Sequence, residues 1–278
     1  MPEFFDVIFK GATIVNQNGA QGADIGVKDG IIAAIDKLEP KQADKSIDCT
    51  GLHILPGVID THVHFREPGA TYKEDLQSGS QAAVLGGVTA IFDMPNTKPA
   101  TTSATALEAK VEAARQSMYC DFAFWVGATK ENITVLPHLE NLAGVAGIKV
   151  FMGSSTGDLL ISDDATLRQV LKHTKRRVAF HSEDEELLQA RKDLQKRGNV
   201  ASHSVWRGSE VALSSTQRLI KIAQETKALI HILHLSTLEE IDFLRYYKDL
   251  ATIEVTPHHL MLSSEDYEKL GTLIQMNP

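Results

Sequence analysis

The chain has 278 residues, 43% of them hydrophobic and 23% charged, a composition typical of a soluble globular enzyme with one large or two smaller domains. Its formal net charge of -8 argues against a general electrostatic affinity for nucleic acid or anionic membranes. There are only two cysteines, acids stand where a signal peptide needs positive charge, and no apolar run is long enough to span a bilayer, so we expect a cytoplasmic protein.

Residues 1–55 are predicted to form a small β domain, the N-terminal part of a β-sandwich. Short apolar segments alternate there with turn residues. Asp29-Gly30 separates the segments Asp24–Lys28 and Ile31–Ile35, and this dipeptide is a strong signal for a two-residue hairpin. The pattern therefore predicts an antiparallel unit at the start of the chain.

Residues 56–278 alternate between strand and helix patterns, which predicts a parallel sheet. Seven segments have the character of buried strands: Val58–Phe65, Thr89–Met94, Phe122–Gly127, Gly147–Met152, Val178–Ser182, Ala228–Leu235 and Thr252–Thr256. Five segments between them are predicted helices: Lys73–Leu85, Ala104–Ser117, Asp163–His173, Ser209–Thr226 and Thr237–Tyr247.

The placement of polar residues distinguishes a closed barrel from an open doubly wound sheet. A barrel collects its chemistry at the C-terminal ends of many strands, whereas an open sheet concentrates it at one switch point, usually beside a glycine-rich phosphate loop. Polar candidates follow several strands here, and the glycine spacing of such a loop is missing. We therefore predict an α/β fold with a TIM-type (β/α)8 barrel, of which this sequence holds seven strands, so we expect the barrel to be incomplete at the C-terminus.

His62 and His64 lie at the end of the first of these strands, in the segment Asp60-Thr61-His62-Val63-His64-Phe65-Arg66. Residues two apart on a strand point to the same side, so both imidazoles project from one face, which Arg66 shares. Two imidazoles on one face form half of a metal site, although a pair of core histidines would show the same pattern.

Three later strand ends carry further candidates. Lys149 has apolar neighbours on both sides, and burial favours its neutral amine, which reacts with CO₂ to a carbamate able to bridge two metal ions. A lysine that reaches solvent or pairs with an acid would show the same pattern. His181 ends the strand Val178–Ser182, and His234 lies nearer its strand end than His231, which is predicted to face the other side.

The order His-x-His, Lys, His and His on successive strand ends resembles the amidohydrolase superfamily and, within it, the dihydroorotases. The resemblance spans nearly the whole chain and rests on six segments: Asp60–Gly69, Met94–Thr97, His181–Asp184, His234–Thr237, Thr256–Leu260 and Asn277–Pro278. It implies the metal-dependent hydrolase kind of barrel for residues 56–278.

The resemblance also implies two zinc ions per subunit. His62 and His64 would bind the more buried ion, and His181 and His234 the other. Carboxylated Lys149 and a hydroxide would bridge the two ions. Many dihydroorotases of this branch have an aspartate at the bridging position, whereas hydantoinases have a lysine, as this sequence does.

By the same resemblance, Arg66, Asn96 and Asn277 would bind the substrate's carboxylate, since a guanidinium can donate two parallel hydrogen bonds to it. The family's metal-binding, proton-shuttling aspartate ends the eighth strand. We expect that residue to lie beyond Pro278, so no catalytic residue can be assigned within this sequence.

The implied activity is zinc-dependent, reversible hydrolysis of (S)-dihydroorotate to N-carbamoyl-L-aspartate in de novo pyrimidine biosynthesis. The substrate would be a small molecule, the protein a homo-oligomer, in particular a dimer, and aspartate carbamoyltransferase a candidate partner. An allantoinase or a hydantoinase (dihydropyrimidinase) would share the metal site, but Arg66 favours a substrate with a free carboxylate. A non-catalytic dihydroorotase-like homologue is the remaining alternative, which the missing eighth strand supports.

Overall fold

The computed structural model describes residues 4–155 and 157–278. The chain divides into two units, of which the first ends at Val58 and the second runs from Ile59 to Pro278. The boundary predicted from the sequence lies after residue 55.

The N-terminal unit is a five-stranded sheet. Its strands are β1 Phe5–Asn16, β2 Gly19–Lys28, β3 Ile31–Asp36, β4 Ala43–Asp48 and β5 His53–Ile54. β1 is antiparallel to β2 and parallel to β4 and β5, and β2 pairs with β3. Asp29 and Gly30 both have positive φ, 51° and 74°, as the tight turn of a two-residue hairpin requires, so the predicted β2–β3 hairpin is present.

The second unit contains a seven-stranded sheet in the order β12-β11-β10-β9-β8-β7-β6. Its strands are β6 Val58–Val63, β7 Val88–Asp93, β8 Asp121–Gly127, β9 Val145–Phe151, β10 Val178–His181, β11 Ile230–Ile232 and β12 Ala251–Ile253. All neighbours from β7 to β12 pair in parallel. The sheet is curled, as the contacts of Glu254 show: this residue directly follows β12 and contacts Thr61 and His62 in β6.

Helices connect the strands. The α-helices are α1 Leu76–Leu85, α2 Ala104–Ser117, α3 Leu136–Leu139, α4 Asp164–His173, α5 Glu185–Ala190, α6 Ser202–Trp206, α7 Ser209–Thr226, α8 Leu238–Leu244, α9 Pro257–Met261 and α10 Tyr267–Leu270. Short 3₁₀ turns cover Pro40–Gln42, Ile133–Val135, Gly157–Leu159, Lys192–Leu194, Ser264–Asp266 and Gly271–Ile274. Within the described part of the chain, no helix combines the length and the apolar character of a membrane span.

The predicted helices Ala104–Ser117 and Ser209–Thr226 have the observed bounds, and others are shorter than predicted. Helix α1 begins at Leu76 rather than Lys73, because Asp75 accepts a hydrogen bond from Ser78 N and thereby caps it. Helix α8 begins after Thr237, which caps it in the same way, and ends at Leu244. The predicted strand Ala228–Leu235 reduces to Ile230–Ile232.

Alternation along the strands separates an outer core from an inner face. Ile148 and Val150 of β9 pack outward against α4 and α7, in a cluster that also contains Val178 and Phe180 of β10. Lys149 lies between the two β9 residues and therefore points inward. Its register partner on β10 is Ala179, so His181, two residues further, also lies on the inner face.

Candidate metal centre

The predicted metal-binding residues all lie at C-terminal ends of strands. His62 is the penultimate residue of β6, and His64 directly follows that strand. Lys149 is near the end of β9, and His181 ends β10. His234 lies two residues beyond β11. In a parallel barrel this rim carries the chemistry.

The structure brings the four histidines together. The ring centroid of His62 is 5.2 Å from that of His64 and 5.2 Å from that of His234. The rings of His181 and His234 are 4.6 Å apart, and His181 Nδ1 lies 2.9 Å from His234 Nε2. Side chains from β6, from β10 and from the segment after β11 therefore form one cluster.

His62 and His64 are both held through their Nδ1 atoms. His62 Nδ1 is 2.5 Å from Glu254 Oε1, and His64 Nδ1 is 2.8 Å from Asn96 Oδ1. A partner on one ring nitrogen fixes the tautomer and leaves the other nitrogen, here Nε2, free to bind a metal ion. This arrangement is typical of metal-binding histidines.

Glu254 was missed by the sequence analysis. Its carboxylate contacts the side chains of His62 and Thr61, lies 3.2 Å from His231 Nε2 and accepts a hydrogen bond from His234 N. Burial alone would raise the pKa of this carboxyl, but the hydrogen bonds from His231 and His62 lower it overall. The available signal was its position directly after β12, at the same rim as the other candidates.

Lys149 is buried, with 1% of its surface exposed. Its Nζ has no hydrogen-bond partner in residues 4–155 and 157–278 and lies 4.4 Å from the centroid of the Phe151 ring. Burial lowers the pKa of the amine well below its usual value. Burial therefore favours the neutral amine, whose lone pair is needed for a reaction with CO₂.

Burial also favours the neutral form of His64, His181 and His234. It lowers the pKa of His64 to about 3, and the positive charge of Arg66 contributes to the decrease. Burial likewise lowers the pKa of His181 and that of His234, the latter strongly. Neutral imidazole is the form that binds metals.

These residues suit a metal centre chemically, although their present spacing is that of a hydrogen-bonded cluster. No three His, Cys, Asp or Glu side chains of the described chain surround a common point at which an ion would fit. His181 Nδ1 and His234 Nε2 are 2.9 Å apart, whereas two nitrogens on one tetrahedral zinc are separated by roughly 3.3 Å. A shift of a few tenths of an ångström would let this pair share an ion. The fit rests on the neutral imidazoles and on the unpartnered amine of Lys149.

Two of these rim residues have unusual backbone conformations. Arg66 has a φ of 49° and His234 a φ of 38°, in the left-handed region that non-glycine residues rarely adopt. Such strain concentrates at functional sites. The left-handed His234 also limits the predicted strand Ala228–Leu235, since an extended strand cannot continue through this residue.

The three residues predicted to bind substrate have different contacts. Arg66 is half-buried and close enough to His64 to affect its pKa, and Asn96 bonds to His64 directly. Asn277 instead places its Oδ1 2.9 Å from Nε2 of His203, a buried histidine of α6. A cavity of about 920 Å³, a size typical of small-molecule sites, is lined by Asn96 and Phe151 among others.

Comparison with known proteins identifies a family and several similar chains. A model of the amidohydrolase family matches residues 53–275. The dihydroorotase of Methanosarcina mazei is 38% identical over 98% of this chain, and the allantoinase of Bacillus velezensis is 35% identical over 99% of it. The L-hydantoinase (dihydropyrimidinase) structure from Arthrobacter aurescens matches 99% of the chain with a TM-score of 0.91 and 27% identity.

The chain spans 62% of the Methanosarcina protein and 63% of each of the other two. The structural match confirms the predicted TIM-type barrel with its N-terminal β domain. The resemblance inferred from the histidine and lysine order is confirmed as well. Since the family model covers most of its residues, the chain belongs to the amidohydrolase family.

Proposed function

We propose that the chain forms the metal-binding part of a dihydroorotase, which hydrolyses (S)-dihydroorotate reversibly to N-carbamoyl-L-aspartate in pyrimidine biosynthesis. The observation that carries the proposal is the meeting of four histidines at the strand rim that also holds the buried Lys149, whose Nζ has no hydrogen-bond partner among the described residues. The similarity to the Methanosarcina mazei dihydroorotase supports the choice of substrate.

The donor set suits two zinc ions. In this proposal, His62 and His64 offer their Nε2 atoms to one ion, and His181 Nδ1 and His234 Nε2 face the position of the other. Bound zinc supplies a nucleophile at neutral pH and polarises an amide carbonyl.

Lys149 would become a bridging ligand by carboxylation. Its neutral Nζ forms a bond to the carbon of CO₂ and loses a proton to water, which leaves a carbamate with two oxygens. Burial of the side chain favours this step, because it disfavours the competing ammonium form.

Arg66 and Asn96 would hold the substrate carboxylate. Asn96 turns its Oδ1 toward His64 Nδ1, which leaves its Nδ2 to donate a hydrogen bond. Arg66 is half-buried beside His64 and can offer two parallel donors. Both residues would thereby place the ring of the substrate over the histidine cluster.

Allantoinase and hydantoinase activity are the alternatives, because the Bacillus velezensis allantoinase and the Arthrobacter aurescens hydantoinase are also similar to this chain. The natural protein loaded with zinc should be assayed with dihydroorotate, allantoin and hydantoin. Preferential turnover of dihydroorotate would support the proposal. Preferential turnover of allantoin or of hydantoin would contradict it and indicate the corresponding alternative activity. Zinc binding without turnover of any of the three indicates a non-catalytic homologue.

A further inference from the structure

A buried ion pair next to His181 joins three segments of the barrel. Glu183 Oε2 lies 2.6 Å from His181 Nε2 and also contacts Nη2 of Arg207. The side chains of Glu183 and Arg207 are 1% and 3% exposed. Arg207 Nη2 donates a second hydrogen bond, of 2.7 Å, to Oγ of Ser154, which lies three residues beyond β9.

We propose that Glu183 and Arg207 form a positioning pair that holds His181 with Nε2 protonated and with the lone pair of Nδ1 directed at His234, and that the pair thereby raises the affinity of the site for zinc. The inference rests on the metal-binding role proposed for His181. It does not depend on which cyclic amide is the substrate.

The tautomer follows from the hydrogen-bond chemistry. An ionised carboxylate only accepts hydrogen bonds, so His181 Nε2 must carry the proton that is shared with Glu183. Nδ1 of the neutral ring then has a lone pair, and this atom faces His234 Nε2 at 2.9 Å. Without Glu183, either nitrogen of His181 could be protonated, and half of the possible arrangements would block the metal-binding atom.

Arg207 compensates the negative charge of the buried Glu183 carboxylate. An uncompensated charge in the interior costs several kcal/mol, so Glu183 needs a cation that stays charged, and a guanidinium always does. The Arg207 fork also reaches Ser154 and so connects this acid to the segment that follows Lys149 and Phe151 in the chain. The pair therefore fixes His181 relative to the strand that carries the proposed bridging lysine.

Main-chain contacts also hold the end of β9 close to the end of β10. Met152 N donates a 3.0 Å hydrogen bond to the carbonyl of His181. A side chain on Gly153 would place its Cβ 2.6 Å from the carbonyl oxygen of Glu183, so only glycine fits there without a shift. Since backbone and side chains both join the end of β9 to the end of β10, His181 has little freedom to rotate.

The test compares two buried acids. Glu183→Gln removes the charge beside His181, and Glu140→Gln is the matched control, because Glu140 is also fully buried but accepts backbone hydrogen bonds from Lys175 and Arg176 before β10. Nitrogen-15 NMR of the imidazoles in zinc-free protein reports the tautomer, with His181→Asn used for assignment. Zinc affinity is measured by competition with a chelator.

We expect Glu183→Gln to mix the tautomers of His181 and to weaken zinc binding by about 10–100-fold, the usual effect of losing a carboxylate that supports a metal-binding histidine. Glu140→Gln should change neither quantity. An unchanged tautomer and an unchanged zinc affinity in Glu183→Gln would overturn the proposal.

If Glu183→Gln does not fold, Arg207→Met provides the same two measurements, and unchanged values there would overturn the pairing. The tautomer measurement needs neither zinc nor turnover. A protein that hydrolyses none of the three cyclic amides, yet shows the His181 shift, would contradict the proposed function and leave the positioning pair intact.

Discussion

Among the described residues of the barrel, two lysines are buried, and they differ in their hydrogen-bond partners. Lys110, on α2, forms a 2.5 Å ion pair with Asp93, donates to the carbonyl of Met94 and lies over the ring of Phe124. Lys149, on the inner face of β9, has no hydrogen-bond partner among the described residues. Both side chains are at most 3% exposed, so burial alone does not separate their roles.

The difference shows that the hydrogen-bond partners of a buried lysine indicate its role. The pair of Lys110 and Asp93 holds structure, because Asp93 also accepts a hydrogen bond from the backbone N of Phe65, directly after His64. A buried amine without a hydrogen-bond partner, such as that of Lys149, destabilises the folded chain. An apolar side chain of similar size would pack equally well without this cost. A buried lysine of this kind is a candidate for chemistry.

The largest effect should follow removal of the amine itself. Lys149→Met is expected to lower turnover by about 10³-fold or more, because the proposed bridging group supports metal ions that contribute several kcal/mol to catalysis. The free energy of unfolding should stay the same or rise, since a buried unsatisfied group is replaced by an apolar one. Steady-state assays and urea titration measure the two effects.

For Lys149→Ala, a small carboxylic acid in the buffer should restore part of the activity, because it can replace the lost bridging carboxylate. A Lys149→Met variant with full activity would exclude the bridging role. Unfolding at much lower urea would instead assign Lys149 to the fold.

Lys110→Met is the matched test of the other lysine. It leaves Asp93 buried without its cation, and breaking a buried pair in this way typically costs about 3–5 kcal/mol of stability. Activity per folded molecule should change little, which a urea titration and an assay at low temperature measure together. If Lys110→Met instead lost activity at unchanged stability, the distinction between the two lysines would fail.

The sequence predicted this barrel well because the relevant patterns are local. Ala104–Ser117 and Ser209–Thr226 have helical periodicity and clear ends, and their observed bounds agree with the prediction. The predicted strand Ala228–Leu235 was too long, because the left-handed backbone at His234 depends on tertiary contacts. Strand alternation alone could not show it.

The clustering of the candidate residues could be predicted where it depends on strand position, and it could not where it depends on side-chain contacts. His62 and His64 could be found from their spacing, since alternation places them on one face. Glu254 and Glu183 were missed because a glutamate near a strand end is common, and only the folded chain shows each carboxylate against a histidine. His231, expected to face away, contacts the same Glu254.

Acid should destabilise the histidine rim of the metal-free protein. The folded pKa of His64 is about 3 and its unfolded value 6.5, so the unfolded chain binds more protons between these limits. The contribution of His64 to stability is fully present above pH 6.5 and decreases by about 1.4 kcal/mol per pH unit below it, roughly 2 kcal/mol at pH 5.

Urea titrations of metal-free protein at pH 7.5 and pH 5 measure this loss. His64→Asn should reduce the difference between the two pH values, whereas His53→Gln, at an exposed histidine of the N-terminal unit, should leave it unchanged. An equal pH dependence in all three proteins would contradict the burial of a neutral His64.

Arg66 differs from both lysines, because it is only half-buried and is expected to bind the carboxylate of the substrate. Arg66→Lys keeps the charge but loses the planar fork, so one of two charge-assisted hydrogen bonds to a carboxylate is lost, which corresponds to about a tenfold decrease in kcat/KM. The decrease should be specific to dihydroorotate, because an uncharged hydantoin offers no carboxylate to Arg66. Parallel kinetics on both substrates, with thermal unfolding as the control for folding, measure it. Equal decreases for the two substrates would assign Arg66, with its left-handed backbone, to the shape of the rim and remove the main argument for a substrate with a free carboxylate.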